Sequence, residues 1–370
     1  MHREIQLFVN GTDGHLFYDI PVLLTTKAGV VLAFSEGRNS ETGGDCGDID
    51  IVLKRSLDSG RTWEPMRVAV RTGPDVDGNP APVLDKETGI IWLLFCRNMA
   101  DGAEDLIIEG KAPRTVWVTS SKDDGESWAE PREITGDVKD PSWTWYATGP
   151  APGIQLSSGR LVVPCDHVQG AQDLGAGYFD VASSVPVLSA SGHSHVIYSD
   201  DHGESWRAGG VAQTGTNESV IVQTADGSLY LNCRNYVGDR RRAVAWSYDD
   251  GMSFEGAGWD ETLPEPICQA GMIRFTDAIA HDKNRILFSN PASTTHRNRV
   301  TVRISYDECR TWSSGKVVHE DHSGYSNLCV GSDLSIYCLY IGGYGKSYDG
   351  LTLAHFDLDW LTDGADSIES

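Results

Sequence analysis

The chain of 370 residues has few basic residues for its length. It carries 30 Lys and Arg against 53 Asp and Glu, which gives a formal net charge of −23 at pH 7. A charge of this sign repels phosphate backbones and anionic lipid headgroups. We therefore expect neither nucleic acid nor a membrane among the partners, and an anionic substrate would need a local group of arginines.

Long apolar runs and paired cysteines are also missing. No segment could span a bilayer, and the N-terminus lacks the apolar core of a signal peptide. The eight cysteines are scattered, without a Cys-x-x-Cys pair or the Cys/His spacing of a metal site. We expect reduced, buried thiols, which favour a cytosolic location. A secretory signal that had already been removed would leave the same sequence.

Amphipathic helical patterns are scarce, whereas short apolar segments bounded by turns are frequent. Residues 29–34, 160–164 and 300–304 are typical of buried or half-buried strands. The 40 glycines and 11 tryptophans suit a chain with many tight turns and aromatic wedges. The sequence therefore predicts an all-β protein.

An eight-residue pattern, Ser-x-Asp-x-Gly-x-Thr/Ser-aromatic, occurs five times, starting at Ser56, Ser121, Ser199, Ser247 and Ser305. The Asp can accept hydrogen bonds from turn N–H groups, the Gly allows a positive φ, and the aromatic ring can pack between strands. A carboxylate that recurs five times indicates a structural device rather than five active sites. Cys309 replaces the Gly of the last copy, so that turn should be the most strained or the most altered.

Repeats separated by tens of residues, with strand-like segments between them, predict a β-propeller whose blades end in this turn. A propeller grows by adding blades, so residues 1–370 are expected to form a single domain. The closing strand, residues 351–358, is expected to pair with the N-terminal strand and so complete the ring.

A hairpin between residues 217 and 235 brings Glu218 and Arg234 to one rim, because they lie near the free ends of its two strands. A surface salt bridge would explain the same pair. Trp143 and Trp145 are candidates for a wall that stacks on sugars, and packing within a blade explains each equally well. The run from Arg240 to Arg242 is expected to be solvated, and Glu265 to be structural.

Several further stretches, taken with the repeats, resemble the bacterial exo-α-sialidase family. They are Phe17-Tyr18-Asp19-Ile20-Pro21, Ser35-Glu36-Gly37-Arg38, the loop Asp45-Cys46-Gly47 before Asp48-Ile49-Asp50, His296-Arg297-Asn298-Arg299, and Gly324-Tyr325. The resemblance covers nearly the whole chain. It implies a six-bladed propeller that removes terminal sialic acid, with no metal and no cofactor.

The resemblance also implies a role for each matching residue. Asp45 would be the general acid/base, Tyr325 the nucleophile and Glu218 the base that activates it. The substrate-binding arginines would be Arg38, Arg234 and Arg297, with Arg299 as the neighbouring rival of Arg297. A sialic acid carries a carboxylate on its anomeric carbon, so a neutral phenol is a better attacking group than a carboxylate.

One position departs from the family. Asp19 stands where the family's first carboxylate-binding arginine should be, and Ile341 stands where a glutamate should steady that arginine. Losing one charge-assisted contact weakens binding by about 1.5–3 kcal/mol. Three outcomes stay open: a sialidase with two arginines, a hydrolase for another ulosonic acid or a differently decorated sugar, and a weakly active or non-catalytic glycan-binding propeller.

Overall fold

The computed structural model describes residues 2–40, 43–169, 178–179, 186–187, 192–237, 239–343 and 348–368. Strands form nearly all of the regular secondary structure in the described chain, which confirms the predicted all-β class. The three helices found there are short: α1 (Glu104–Ile108), α2 (Thr135–Val138) and α3 (Leu358–Thr362). Within the described ranges, none of the helices has the length and apolar character needed to cross a membrane.

The strands of the first half, in chain order, are β1 (His2–Val9), β2 (Phe17–Thr25), β3 (Val31–Arg38), β4 (Ile49–Ser56), β5 (Arg67–Val70), β6 (Val76–Leu84), β7 (Ile91–Asn98), β8 (Thr115–Ser121), β9 (Arg132–Glu133), β10 (Tyr146–Thr148), β11 (Ile154–Gln155), β12 (Leu161–Val168), β13 (Tyr178–Phe179) and β14 (Pro186–Val187). Those of the second half are β15 (Gly192–Ser199), β16 (Arg207–Thr214), β17 (Thr216–Gln223), β18 (Leu229–Asn235), β19 (Arg241–Ser247), β20 (Glu255–Pro264), β21 (Gly271–Thr276), β22 (Arg285–Pro291), β23 (Asn298–Ser305), β24 (Lys316–Val330), β25 (Ile336–Gly342) and β26 (Gly350–Phe356).

Neighbouring strands pair as antiparallel meanders. The runs β2–β3–β4–β5, β6–β7–β8–β9 and β17–β18–β19–β20 each pair in sequence, and the first two touch through one parallel pair, Ile49 with Val76. The 15-residue strand β24 pairs with β23 through its first half and with β25 through its second. Strand β1 pairs with β26 from His2↔Phe356 to Val9↔Gly350, which confirms the predicted contact between the two ends of the chain.

The repeated turns share one hydrogen-bond pattern. In the first copy the Ser56 hydroxyl accepts the Gly60 N–H at 2.8 Å, while Asp58 accepts the Thr62 N–H at 2.8 Å and its hydroxyl at 2.7 Å. In the last copy Cys309 keeps the same bond to the serine hydroxyl, at 2.9 Å, and has a φ of 67°. The turn therefore keeps its hydrogen bond. Its strain comes from the positive φ of Cys309, a backbone conformation that favours glycine.

Four inner strands carry the same irregularity at the same end. In each, two residues oppose one residue of the next strand, which is a β-bulge and turns side chains away from the regular alternation. The bulges are Ile20-Pro21 opposite Ser35, Asn79-Pro80 opposite Phe95, Asn217-Glu218 opposite Arg234, and Gly324-Tyr325 opposite Ile341. Each bulge contributes at least one residue to the lining of a single cleft: Ile20, Asn79, Asn217, Glu218 and Tyr325.

Candidate active site

The cleft at the bulges has a volume of about 340 Å³. All seven residues expected to form the site line it, namely Asp19, Arg38, Asp45, Glu218, Arg234, Arg297 and Tyr325. They come from β2, β3, β17, β18 and β24 and from the loops before β4 and β23. The fold thus brings together residues separated by about 300 positions in the sequence.

Tyr325 and Glu218 meet on one guanidinium nitrogen. Arg234 Nη1 donates to Glu218 Oε2 and to the Tyr325 hydroxyl oxygen, each at 2.8 Å. The bulge in β17 produces this arrangement, because it sets Asn217 and Glu218 opposite Arg234. The pair expected across the hairpin is therefore buried, with side-chain exposures of 8% for Glu218 and 12% for Arg234, rather than a surface salt bridge.

The phenol of Tyr325 is held neutral by its surroundings. Burial raises its pKa well above the usual value and the Glu218 carboxylate raises it further, while Arg234 and Arg297 act in the opposite direction. A phenol with such a raised pKa cannot be a standing phenolate at neutral pH. It needs a base during any attack, and Glu218 is the carboxylate on the shared nitrogen.

Arg38 binds protein groups with both ends of its guanidinium. Its Nε and Nη2 donate to Glu36 Oε2 at 3.0 and 2.6 Å, and Nη1 donates to the Gly43 carbonyl at 2.8 Å. Nη2 also lies 2.8 Å from Asp45 Oδ1, and Nη1 lies 3.3 Å from Asp19 Oδ2. Three carboxylates thus share one cation, and Arg38 holds Asp45 and Asp19 at the cleft wall.

Asp45 is the most exposed residue of this corner. Its side chain is 65% exposed, whereas that of Arg38 is 3% exposed. A carboxylate anchored at one oxygen and open to solvent can exchange protons with a ligand and with water.

Arg234 and Arg297 both line the cleft. Arg234 Nε is buried without a hydrogen-bond partner in the described part of the chain. Arg297 donates through Nη2 to the Ile267 carbonyl at 2.8 Å, and its guanidinium carbon lies 5.7 Å from the Tyr325 ring centre. Its rival Arg299 is half exposed and pairs with Glu320 at 3.3 Å, away from the cleft lining. The two guanidinium groups lie beside the phenol, and a pair of guanidinium groups suits a carboxylate.

The opposite wall contains polar residues that the sequence did not single out. Asp166 on β12 is fully buried, and its Oδ1 accepts from Asn217 at 2.8 Å and from the Trp145 indole N–H at 3.2 Å. Burial raises the pKa of Asp166 well above its usual value, and the Glu218 charge adds to the rise. Trp145 is thus a cleft residue, whereas Trp143 stacks on His167 with ring centres 3.5 Å apart.

Glu104 and Arg114 complete this wall. Glu104 begins α1 at the mouth of the cleft, where desolvation and then the charge of Asp45 raise its pKa to about 7. Arg114 is buried and bonds to the Tyr146 carbonyl, Asn98 and Asn79, and its guanidinium lies 4.3 Å from the Trp145 ring centre. Both residues come from segments with no distinctive local pattern, so only the tertiary structure reveals them.

One expectation about this region is wrong. Arg242 is fully buried rather than solvated, and it pairs with the fully buried Glu265 at 2.7 Å. Alternation along β19 explains the error, because it sends Arg242 inward while Arg241 remains partly exposed. Glu265 also accepts the Asn235 N–H at 2.6 Å, next to Arg234, so its expected structural role is confirmed.

Metal ligands are not assembled in the described residues, where no group of three or more His, Cys, Asp or Glu side chains could hold an ion. The buried histidines beside the cleft, His167 and His195, bond to each other at 3.0 Å. Burial lowers the pKa of His195 to about 3, so it is neutral at physiological pH.

Comparison with known proteins matches the chain to one family. Residues 27–338 match the model of the BNR repeat-like domain. A sialidase of Micromonospora viridifaciens is 34% identical over 386 residues, covering 98% of this chain and 54% of that protein. An exo-alpha-sialidase of Aspergillus fumigatus is 31% identical over 383 residues, covering 94% of this chain and 85% of that protein.

A solved structure gives the same result. The Hadza microbial sialidase Hz136 superposes with a TM-score of 0.83 at 29% identity, covering 97% of this chain and 69% of that one. The chain spans about half the length of the Micromonospora relative. From these matches across nearly its whole length, the chain belongs to the BNR-repeat sialidase (neuraminidase) family of glycoside hydrolases.

Proposed function

We propose that this protein is a retaining exo-α-sialidase-like glycoside hydrolase. It releases terminal sialic acid, or a related 2-keto-3-deoxy (ulosonic) sugar acid, from glycoconjugates. The observation that carries the proposal is the shared contact of Tyr325 and Glu218 with Arg234 Nη1, each at 2.8 Å. A phenol and a carboxylate on one buried guanidinium form a nucleophile–base pair, for which a purely structural site has no use.

The reaction has two steps. In the first, the Tyr325 oxygen attacks the anomeric carbon while its proton passes to Glu218, and Asp45 protonates the departing glycosidic oxygen. In the second, Asp45 takes a proton from water, the water oxygen displaces Tyr325 from the anomeric carbon, and Glu218 returns its proton to the phenolate. Two displacements retain the anomeric configuration. The guanidinium groups of Arg234 and Arg297 bind the sugar carboxylate.

The fold part of the proposal is a six-bladed propeller over residues 1–370. The pairing order supports it, because the strands divide in chain order into six groups of about four, the last of which contains β1 beside β26. The five repeated turns lie on the connections between the outer two strands of successive groups.

Hydrolysis of a fluorogenic α-sialoside tests the enzymatic proposal. Wild type should turn the substrate over, and Tyr325→Phe, which removes one oxygen, should lose this activity while keeping its melting temperature. NMR of the first-formed sugar should show the α anomer. Release of the β anomer, or full activity of Tyr325→Phe, would refute a tyrosine-based retaining mechanism.

One observation favours a second candidate, a glycan-binding propeller without turnover. Asp19 and Glu36 add carboxylates to a cleft that must accept an acid. This candidate predicts saturable binding of a sialic acid analogue with no release of product from any sialoside or other ulosonoside offered.

A further inference from the structure

Asp19 is presented to the cleft by a strained segment of β2. It stands directly before the bulge Ile20-Pro21, and Ile20 has a φ of 57°. A β-branched residue in the left-handed region is disfavoured, and such strain persists where the surrounding structure fixes the backbone. The Asp19 side chain is one-third exposed, and it lines the cleft. The fold therefore holds this carboxyl group in a defined position against the ligand space.

The partners of Asp19 leave one of its oxygens weakly engaged. Oδ1 accepts the Ile20 N–H at 2.7 Å, whereas the one partner of Oδ2 among the described residues is Arg38 Nη1, at 3.3 Å. Arg38 already serves Glu36 and Asp45 at shorter distances. The single positive charge of Arg38 therefore cannot neutralise three ionised carboxylates.

The charges around Asp19 come from several elements. Glu36 and Arg38 face it from β3 and Asp45 from the following loop, while Arg297 and Tyr348 face it from the segments before β23 and β26. Burial raises the pKa of Asp19, Asp45 raises it further, and Arg38 and Arg297 oppose the rise. The environment thus favours the neutral acid more than water does.

We propose that Asp19 binds the substrate as a neutral carboxylic acid, donating its O–H to the carboxylate that Arg234 and Arg297 hold, and that ionised Asp19 excludes this ligand. This inference rests on the proposed function, because it takes the substrate to be a sugar acid. An O–H···O⁻ bond is short and strong, so it replaces a cationic contact without adding charge. When free Asp19 is ionised, one proton is taken up from solvent with each ligand bound.

The consequence is a defined pH dependence. Above the pKa of Asp19 in the free protein, affinity for a carboxylate ligand falls by about tenfold per pH unit, since a proton must bind with the ligand. Asn at this position donates an N–H at every pH. Titration of Glu36 contributes to both proteins, so the difference between the two slopes reports Asp19.

Calorimetric titration with 2-deoxy-2,3-didehydro-N-acetylneuraminic acid tests the proposal between pH 4 and 9, with the slopes compared over the part of this range in which Asp19 ionises; Glu104 titrates in both proteins. Wild type should show a slope of log Kd against pH that is about one unit steeper than that of Asp19→Asn. Two buffers of different ionisation enthalpy should reveal that wild type takes up about one proton more per ligand than Asp19→Asn. Asp19→Ala should bind more weakly than wild type at pH 4, and the exposed control Asp359→Asn should match wild type throughout.

Equal slopes for wild type and Asp19→Asn, unweakened binding by Asp19→Ala at pH 4, or no binding to any variant would each overturn the proposal. Binding needs no turnover, so the two proposals can fail separately. If the slope of log Kd against pH depends on Asp19 but no sialoside is hydrolysed, only the proposed enzymatic function is refuted. If sialosides are hydrolysed but wild type and Asp19→Asn have equal slopes, only the inference of a neutral Asp19 is refuted.

Discussion

The buried pair of Arg242 and Glu265 should hold the rim on which Arg234 stands. Arg242 donates to Glu265 Oε2 at 2.7 Å, to the Cys268 carbonyl at 2.6 Å and to Asn232 Oδ1 at 2.6 Å. Glu265 in turn accepts the Asn235 N–H. Substituting Arg242→Met keeps much of the side-chain volume but removes every one of these donors.

Arg242→Met should lower the free energy of unfolding because it leaves buried groups without their partner. Glu265 has no solvent exposure, so without Arg242 its carboxylate keeps, among the described residues, one backbone hydrogen bond and the charge of Arg234, to which no hydrogen bond is made. Breaking a buried pair in this way costs about 3–5 kcal/mol. The Cys268 carbonyl also loses a donor, which places the expected loss in the upper half of that range.

Denaturant unfolding of four proteins measures the effect: wild type, Arg242→Met, Glu265→Gln and the double variant. If the orphaned charge causes the loss, Glu265→Gln should restore part of the stability in the Arg242→Met background, with a coupling energy of about 0.5–3 kcal/mol. Additive losses, or a loss below 1 kcal/mol for Arg242→Met, would refute the reasoning. The exposed neighbour substitution Arg241→Met is the matched control and should change stability little.

Three further outcomes are expected. In steady-state kinetics, Asp45→Asn should lower kcat/KM for sialosides with alkyl leaving groups by about 10²–10⁴-fold. The loss should be much smaller for aryl sialosides, because an aryl leaving group departs without being protonated. Glu104 has a pKa of about 7, so its ionisation should weaken binding of a sialic acid analogue between pH 6 and 8, and Glu104→Gln should flatten that part of the titration. Hydrogen bonds from the Thr62 N–H and hydroxyl lower the pKa of Asp58 to about 2. The ionised Asp58 carboxylate therefore stabilises the fold above pH 4, and this contribution is lost as the pH falls toward 2. Asp58→Asn should make the melting temperature less pH-dependent in that range.

The repeated turns could be predicted because every contact in them is local. Ser56, Asp58, Gly60 and Thr62 bond within seven positions of one another. The same holds for the pairing of Glu218 with Arg234, since one hairpin fixes both. Contacts of this kind are encoded in short stretches, so residue type and spacing suffice to infer them.

Long-range partners explain what the sequence could not indicate. Arg242 looks like the last residue of a basic surface run, but the end of β20 places Glu265 against it. Trp143 and Trp145 are two residues apart, which in a strand would give them one face. They precede β10 instead, so one ring enters the cleft and the other packs on His167.

The bulges show why the candidate site itself is poorly visible to pattern analysis. Strand prediction relies on strict alternation, and the cleft residues lie where alternation breaks, with two residues opposite one. Proline is the one local sign, because a residue without an N–H is tolerated at an unpaired bulge position, as at Pro21 and Pro80. Glu218 and Tyr325 have no such sign. A regular strand would send one of each neighbouring pair into the core, so the extra residue allows these strands to present polar groups to the cleft.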